Sequence, residues 1–200
     1  MVQGHSFFLS TYYYYYYYYV FAYKWGVISF LSGILTLPTI ILASACVLGI
    51  HSTYKGTASK RVLNNHWHTN RKYRFIPFCP EQMAGFPTPR PPVEIVGGDG
   101  FDVISGRAKV LTNEGDNVTH RFMDSLDDIL MAVQWIRPSL IVLQQRSPSC
   151  SCAGVYDGTF THTLITGHGV IAAYLKQHEY PLIDIEAFKL EQGACQKSGR

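Results

Sequence analysis

The sequence predicts an α/β protein: one compact domain with a mostly parallel sheet flanked by helices, preceded by a hydrophobic leader. Three observations lead there. Short β-branched apolar runs recur, each entering a loop that carries a cysteine, and amphipathic helical patterns separate them. The chain has 200 residues, which leaves room for one core and little more once an atypical N-terminal stretch is set aside.

The segment "TIILASAC", Thr39 to Cys46, is short and β-branched and ends in small residues and a thiol, as a buried parallel strand does where it enters a loop. "YRFIPFCPE" repeats the pattern and reaches Cys79 before a proline. "SLIVLQQRSPSC" does so again, with Leu140 to Leu143 as the strand and Cys150 in the loop beyond. Between the second and third strands, "THRFMDSLDDILMAVQW" sets Phe122, Leu126, Ile129, Leu130 and Val133 on one helical face, with Thr119 as the expected N-cap. "GVIAAYLKQHEY" then reads as a short amphipathic helix and "PLIDIE" as a last strand. Strands alternating with helices give an open, Rossmann-like sheet with right-handed crossovers.

Residues 1–37 are read as a separate leader, residues 38–190 as the folded domain and residues 191–200 as a polar C-terminal tail. Eight consecutive tyrosines, Tyr12 to Tyr19, precede an apolar run to Leu37 whose single charge is Lys24. About 20 apolar residues suffice to cross a bilayer, so a membrane segment is one reading. A mispredicted start is another, because a homopolymeric tract resembles translated repetitive DNA. The start of the chain lacks the basic residues and the cleavage site of a signal peptide and the arginines of a mitochondrial presequence.

Net charge is +3, too small to demand a polyanionic partner. A basic run from His51 to Arg74, with Lys55, Lys60, Arg61 and Lys72, is read as a solvated face and not as nucleic-acid contact. Five cysteines, an odd number, argue against a disulfide framework and for reduced thiols. The expected location is the cytoplasm or, with a membrane leader, a domain facing a reducing compartment.

Loops beyond the carboxyl ends of parallel strands meet at one rim, where ligands bind. Cys46, Cys79 and Cys150 each follow such an end and are expected to share a site. Three thiolates suit an iron–sulfur cluster or zinc and leave one coordination position open. The alternative is three small buried hydrophobes, since no CxxC spacing accompanies them.

Seven motifs carry a more specific signal: "SACVLG" (Ser44 to Gly49), "YKG" (Tyr54 to Gly56), "PFCPEQMAGFPTPRPPVEI" (Pro77 to Ile95), "GDNVTHRF" (Gly115 to Phe122), "RSPSC" (Arg146 to Cys150), "YDGTF" (Tyr156 to Phe160) and "GHGVIAAYL" (Gly167 to Leu175). In this order, from about Thr39 to Glu186, they resemble the thiouracil desulfurase family, formerly a domain-of-unknown-function family. The resemblance implies a [4Fe-4S] cluster held by Cys46, Cys79 and Cys150, with a fourth iron free to take the sulfur of a thiolated pyrimidine. It implies non-redox chemistry, in which water adds at carbon, sulfur leaves as sulfide, and Glu81 with Ser147 or Ser149 moves protons. A zinc- or cluster-containing binding module without catalysis, membrane-associated through the leader, is the alternative function. Oligomeric state is left open.

Several motif residues also have structural readings. Glu81 is a candidate for an ion pair with Arg90 or Arg146. Arg90 itself, in a loop stiffened by Pro87, Pro89, Pro91 and Pro92, either pairs with an acid or receives an anionic substrate group. Asp157-Gly158-Thr159 is a turn signal, and the Asn117-Val118-Thr119 sequon is better explained as a helix entry. His66 and His68 read as surface residues. Relatives carry Gly after the last ligand cysteine where this chain has Ser151 and then Cys152, and Lys or Glu where it has Gln144 and Gln145. Cys152 is expected to be a neighbouring free thiol, and Cys195 has no assigned role.

Overall fold

The computed structural model describes residues 37–60, 63 and 71–197. In chain order, β1 (Thr39–Ser44) runs into a single 3-10 turn (Ala45–Leu48), and β2 (Tyr73–Phe78) precedes a one-turn helix, α1 (Pro80–Met83). Next, β3 (Val93–Val96) and β4 (Lys109–Thr112) flank α2 (Gly100–Ile104), and α3 (Thr119–Asp124) and α4 (Leu126–Ile136) lead to β5 (Leu140–Leu143). A hairpin, β6 (Gly154–Tyr156) and β7 (Leu164–Thr166), is followed by α5 (Val170–Gln177), β8 (Leu182–Asp184) and α6 (Ile185–Lys197).

The predicted α/β class holds. Four strands pair in parallel in the order β2-β1-β5-β8. Because side chains alternate along a strand, Leu42, Ile141 and Leu143 enter one apolar cluster while Ile41, Ala43 and Val142 enter another on the opposite face. Burial on both faces is what makes these strands read as continuous apolar runs. Helices α4 and α5 cover the first face through Ile129, Val133, Ile171 and Leu175, and Val47, Ile185 and Phe188 cover the second. Each fully buried Leu, Ile or Phe contributes about 1.5–3 kcal/mol.

β1 has β2 on one side and β5 on the other, so the chain steps one way from β1 to β2 and then returns to the opposite side of β1 to form β5. That makes the carboxyl ends of β1 and β5 a topological switch point, where open α/β sheets leave a crevice. Cys46, Cys79 and Cys150 follow β1, β2 and β5 respectively.

Several local expectations are corrected. The single helix expected from Thr119 to Trp135 is two, because Ser125 turns its hydroxyl back to Phe122 O at 2.8 Å and interrupts the helix there. Thr119 is the first helical residue and not the N-cap; Asn117 Oδ1 accepts from Thr119 N at 3.1 Å instead. Leu130 packs against the same core cluster as Phe122, Leu126, Ile129 and Val133, as its place on that face predicts, but is only half-buried. The last strand ends at Asp184, whose Oδ1 accepts from Glu186 N and Ala187 N, so Ile185 and Glu186 open α6. Backbone helix continues through Cys195 to Lys197.

The leader, apart from Leu37, lies outside the described residues, as do Arg61, His66 and His68. Among the described residues no helix is long and apolar enough to cross a membrane.

Candidate active site

Cys46 is buried in the 3-10 turn that begins as β1 ends, and its carbonyl accepts from Ser59 N at 3.0 Å. The turn closes at Gly49 with φ +90°, a conformation glycine adopts without strain. Cys79 is the N-cap of α1, where Pro80 stands at the first helical position and needs no N–H partner. The Cys79 thiol donates to Ser52 O at 3.7 Å.

Cys150 sits in a loop that Ser147 organises. Ser147 Oγ accepts from Ser149 N and Cys150 N, each at 3.2 Å. The loop's carbonyls in turn cap α5: Pro148 O accepts from Val170 N, and Ser149 O from Ile171 N and Ala172 N. Loop and helix are closely apposed at Gly169, where a Cβ would stand 2.5 Å from the Ser149 carbonyl carbon.

The three thiols share one electrostatic environment. Cys46 is pushed up to about 12 by burial first and then by the charges of Cys150, Cys79 and Glu81. Burial raises Cys79 as well, and it raises Cys150 to about 12 against the opposing effect of hydroxyls from Ser149 and Ser44. Burial thus disfavours the thiolate at all three positions, and a positively charged metal centre is the kind of partner that would offset it. Among the described residues, no three His, Cys, Asp or Glu side chains are arranged to hold a single metal ion. An iron–sulfur cluster would take one thiolate to each iron, so the three sulfurs would not have to converge on one point.

Glu81 joins the Cys79 loop to the Cys150 loop. Its Oε1 accepts from Ser149 Oγ at 2.8 Å and from Ser147 Oγ at 3.4 Å, and the two hydroxyls lie 3.0 Å apart. Ser149 Oγ is also 3.5 Å from Cys150 Sγ. On the other side Glu81 Oε2 accepts from Arg90 Nε at 2.6 Å, so Arg90 and not Arg146 is its ionic partner. Cys46, Cys79, Cys150, Glu81, Ser147 and Ser149 are thus brought to one rim.

The remaining motif residues have structural surroundings. Ser151 is buried; its hydroxyl donates to Gly154 O at 2.6 Å and accepts from Arg146 N and Gly154 N, so it stitches the turn beyond Cys150. Cys152 is half-buried with its sulfur 4.0 Å from Cys150 O. Asp157 accepts from Thr159 N and Oγ1, as a turn residue does. Gln144 is held by Ser59, and Gln145 donates to Asp184 Oδ1 at 2.6 Å. Sequence reasoning missed Ser44 and Ser52. Ser44 ends β1 and its Oγ accepts from Gln144 N; Ser52 acts through its carbonyl, which accepts from both Cys79 and Arg90. Ser44 had a signal in its place before Cys46, whereas a backbone carbonyl carries none.

Sheet and rim together define an open α/β protein with its candidate site at the strand ends. The chain belongs to the 2-thiouracil desulfurase family, whose pattern matches residues 41–187. It is 40% identical over 145 residues to the uncharacterized protein YbbK of Bacillus subtilis (strain 168), covering 72% of this chain and 93% of that protein. Among solved structures it is similar to the [4Fe-4S]-dependent thiouracil desulfidase TudS, with a TM-score of 0.63, 27% identity, and coverage of 79% of this chain and 98% of TudS. Family and solved relative are thiouracil desulfidases, so the chain stands in a family of enzymes.

Proposed function

We propose that the protein is a [4Fe-4S]-dependent desulfidase that converts a thiolated pyrimidine, 2-thiouracil or a close analogue, and water into the oxo-pyrimidine and sulfide. No electron is gained or lost overall: the C=S bond is replaced by C=O, and the two protons of water end on sulfur. Cys46, Cys79 and Cys150 hold the cluster in this reading. It is supported by three cysteines that follow three strand ends of one parallel sheet and by the likeness to a [4Fe-4S]-dependent relative.

When bound, the cluster supplies a Lewis-acidic iron for the thiocarbonyl sulfur. The proton transfers fall to the chain's own side chains. Glu81 accepts a proton from water, using Oε1, because Oε2 is engaged by Arg90. Ser149, fully buried, carries the proton between Glu81 Oε1 and the sulfur-lined side of the site. Ser147, half-buried and 3.0 Å from Ser149, extends that line outward and shapes the loop through its two backbone contacts. The contact line Glu81–Ser149–Cys150, which couples a carboxylate to a thiol ligand through one hydroxyl, is the observation that carries the reading. Such a centre requires a reducing compartment: the cytoplasm, or a domain facing one.

The test is anaerobic reconstitution with iron and sulfide. Cys150→Ser should lose iron and the brown absorbance, and Cys152→Ser should keep both. Glu81→Gln should stay brown while turnover of 2-thiouracil falls by about 10²–10⁴-fold. A fully brown Cys150→Ser protein would overturn the ligand assignment, and a colourless wild type rich in zinc would overturn the cluster.

A further inference from the structure

Arg90 is buried to an unusual degree for a guanidinium, with its side chain 3% exposed. Nε donates to Glu81 Oε2 at 2.6 Å, and Nη2 lies 2.5 Å from the same oxygen. Nη2 also donates to Ser52 O at 3.1 Å, while Nη1 donates to Pro87 O at 3.2 Å and Thr88 Oγ1 at 3.1 Å. Of the five N–H donors in arginine's fixed fork, four donate in these contacts, and Nη2 is also ion-paired with Glu81. With the side chain 3% exposed, the guanidinium is committed to these partners and not to an anionic substrate.

The contacts are distributed in a particular way. Ser52 O, which holds Nη2, is the carbonyl that also accepts from the Cys79 thiol. Arg90 N donates to Tyr54 O at 2.9 Å, so side chain and backbone both grip the loop that follows Cys46. Arg90 therefore fixes Glu81 relative to the loops of two ligand cysteines and leaves Oε1 facing Ser149 and Ser147. Stability alone is a weak reason to keep such a pair, because desolvating two charges cancels most of their attraction.

We propose that Arg90 is a positioning residue of the reaction, acting through Glu81 by fixing the direction of its free oxygen without touching the substrate. This rests on Glu81 as the proton carrier. A lysine could neutralise Glu81 but could not reproduce the fork, since an ammonium is a point charge on a flexible stem.

The experiment compares reconstituted wild type, Arg90→Lys, Glu81→Gln and the double variant, with iron and sulfide content measured alongside 2-thiouracil kinetics. Arg90→Lys should retain its cluster and show kcat per cluster reduced by about 10²-fold, with KM little changed, as expected of a misdirected catalytic group. Combined with Glu81→Gln it should cost nothing further, because the two act as one unit. Wild-type kcat in Arg90→Lys, a raised KM with kcat intact, or losses that multiply in the double variant would each overturn the positioning role. If Arg90→Lys does not fold, Glu81→Gln/Arg90→Gln, in which neither charge of the pair remains, is compared with Glu81→Gln: equal turnover per cluster supports the proposal and a further drop sinks it. Wild-type turnover in Glu81→Gln would remove the proton-carrier reading and the proposal with it, whereas an impaired Glu81→Gln beside a fully active Arg90→Lys removes the proposal alone.

Discussion

Ser149 Oγ lies 2.8 Å from Glu81 Oε1 although the residues are 68 positions apart in the chain. Ser147 is close to the same oxygen at 3.4 Å, but its oxygen also accepts two backbone N–H groups of its own loop. The two serines should therefore fail differently. Ser149→Ala is expected to keep its cluster and lose turnover by roughly 10²-fold, the lower end for a proton-transfer group. Ser147→Ala should loosen the loop and lower iron content before kcat per cluster changes. Iron analysis with single-turnover kinetics separates them; equal iron content and equal kcat in the two variants would contradict the division of roles.

Gly169 offers a test of the scaffold behind Cys150. A methyl there would meet the Ser149 backbone at 2.5 Å and Cys150 N at 2.8 Å, and backbone cannot swing aside as a side-chain tip can. Gly169→Ala should destabilise the domain by about 1–3 kcal/mol, the usual range for overpacking. Denaturant unfolding gives the stability loss, and reconstitution should show less iron per chain. Unchanged stability and iron would mean that loop and helix are less tightly apposed than 2.5 Å implies.

A pH dependence follows from the capping box of α2. Asp102 is held below the usual carboxylate value of 3.8 by the backbone N–H of Asp99 and then by the guanidinium of Arg107. A depressed folded-state pKa contributes stability that is present above 3.8 and fades as pH falls through the lower, folded-state value. The stability advantage of wild type over Asp102→Asn should accordingly be full near neutrality and shrink in acid. Urea titrations across that range measure it, and a difference independent of pH would exclude the carboxylate's charge as its source.

Truncation before Pro38 is expected to leave a folded protein. The matched family region starts at residue 41, β1 starts at Thr39, and Thr39 N already donates to Lys72 O at 2.8 Å. Circular dichroism and thermal unfolding of protein lacking residues 1–37 would check this. Aggregation of the truncated chain beside a well-behaved full chain would make the leader part of the core.

The parallel strands were legible because a strand buried on both faces has little choice of residue: β1 and β5 are almost uninterrupted aliphatic runs, and each breaks where its loop begins. The expectation that Cys46, Cys79 and Cys150 share a rim came from the same runs, and the structure has each follow a strand of one parallel sheet. Strands β3 and β4 were not legible. Glu94 sits in β3 and is buried because Phe160 N donates to it at 2.9 Å, a partner supplied by a distant hairpin. The break at Ser125 was hidden for another reason: Phe122, Leu126, Ile129 and Val133 keep helical spacing across it, so periodicity reports the buried face and not the continuity of the backbone.

The order of β2-β1-β5-β8 also governs when the thiol site can come into being. A chain emerging from the ribosome presents Cys46 and Cys79 early, but β5 joins β1 only after the β3–β4 excursion and α3–α4 have been made, and Cys150 lies beyond β5. The loop bearing Cys150 is then fixed by N–H groups of α5, which are synthesised later still. The site is thus completed late, with only β8 and α6 still to follow. Small metal-nucleated folds gather around their ion from the start; a cluster on the proposed ligands would instead be received by loops that only the folded sheet brings together, with two of the three thiols already buried.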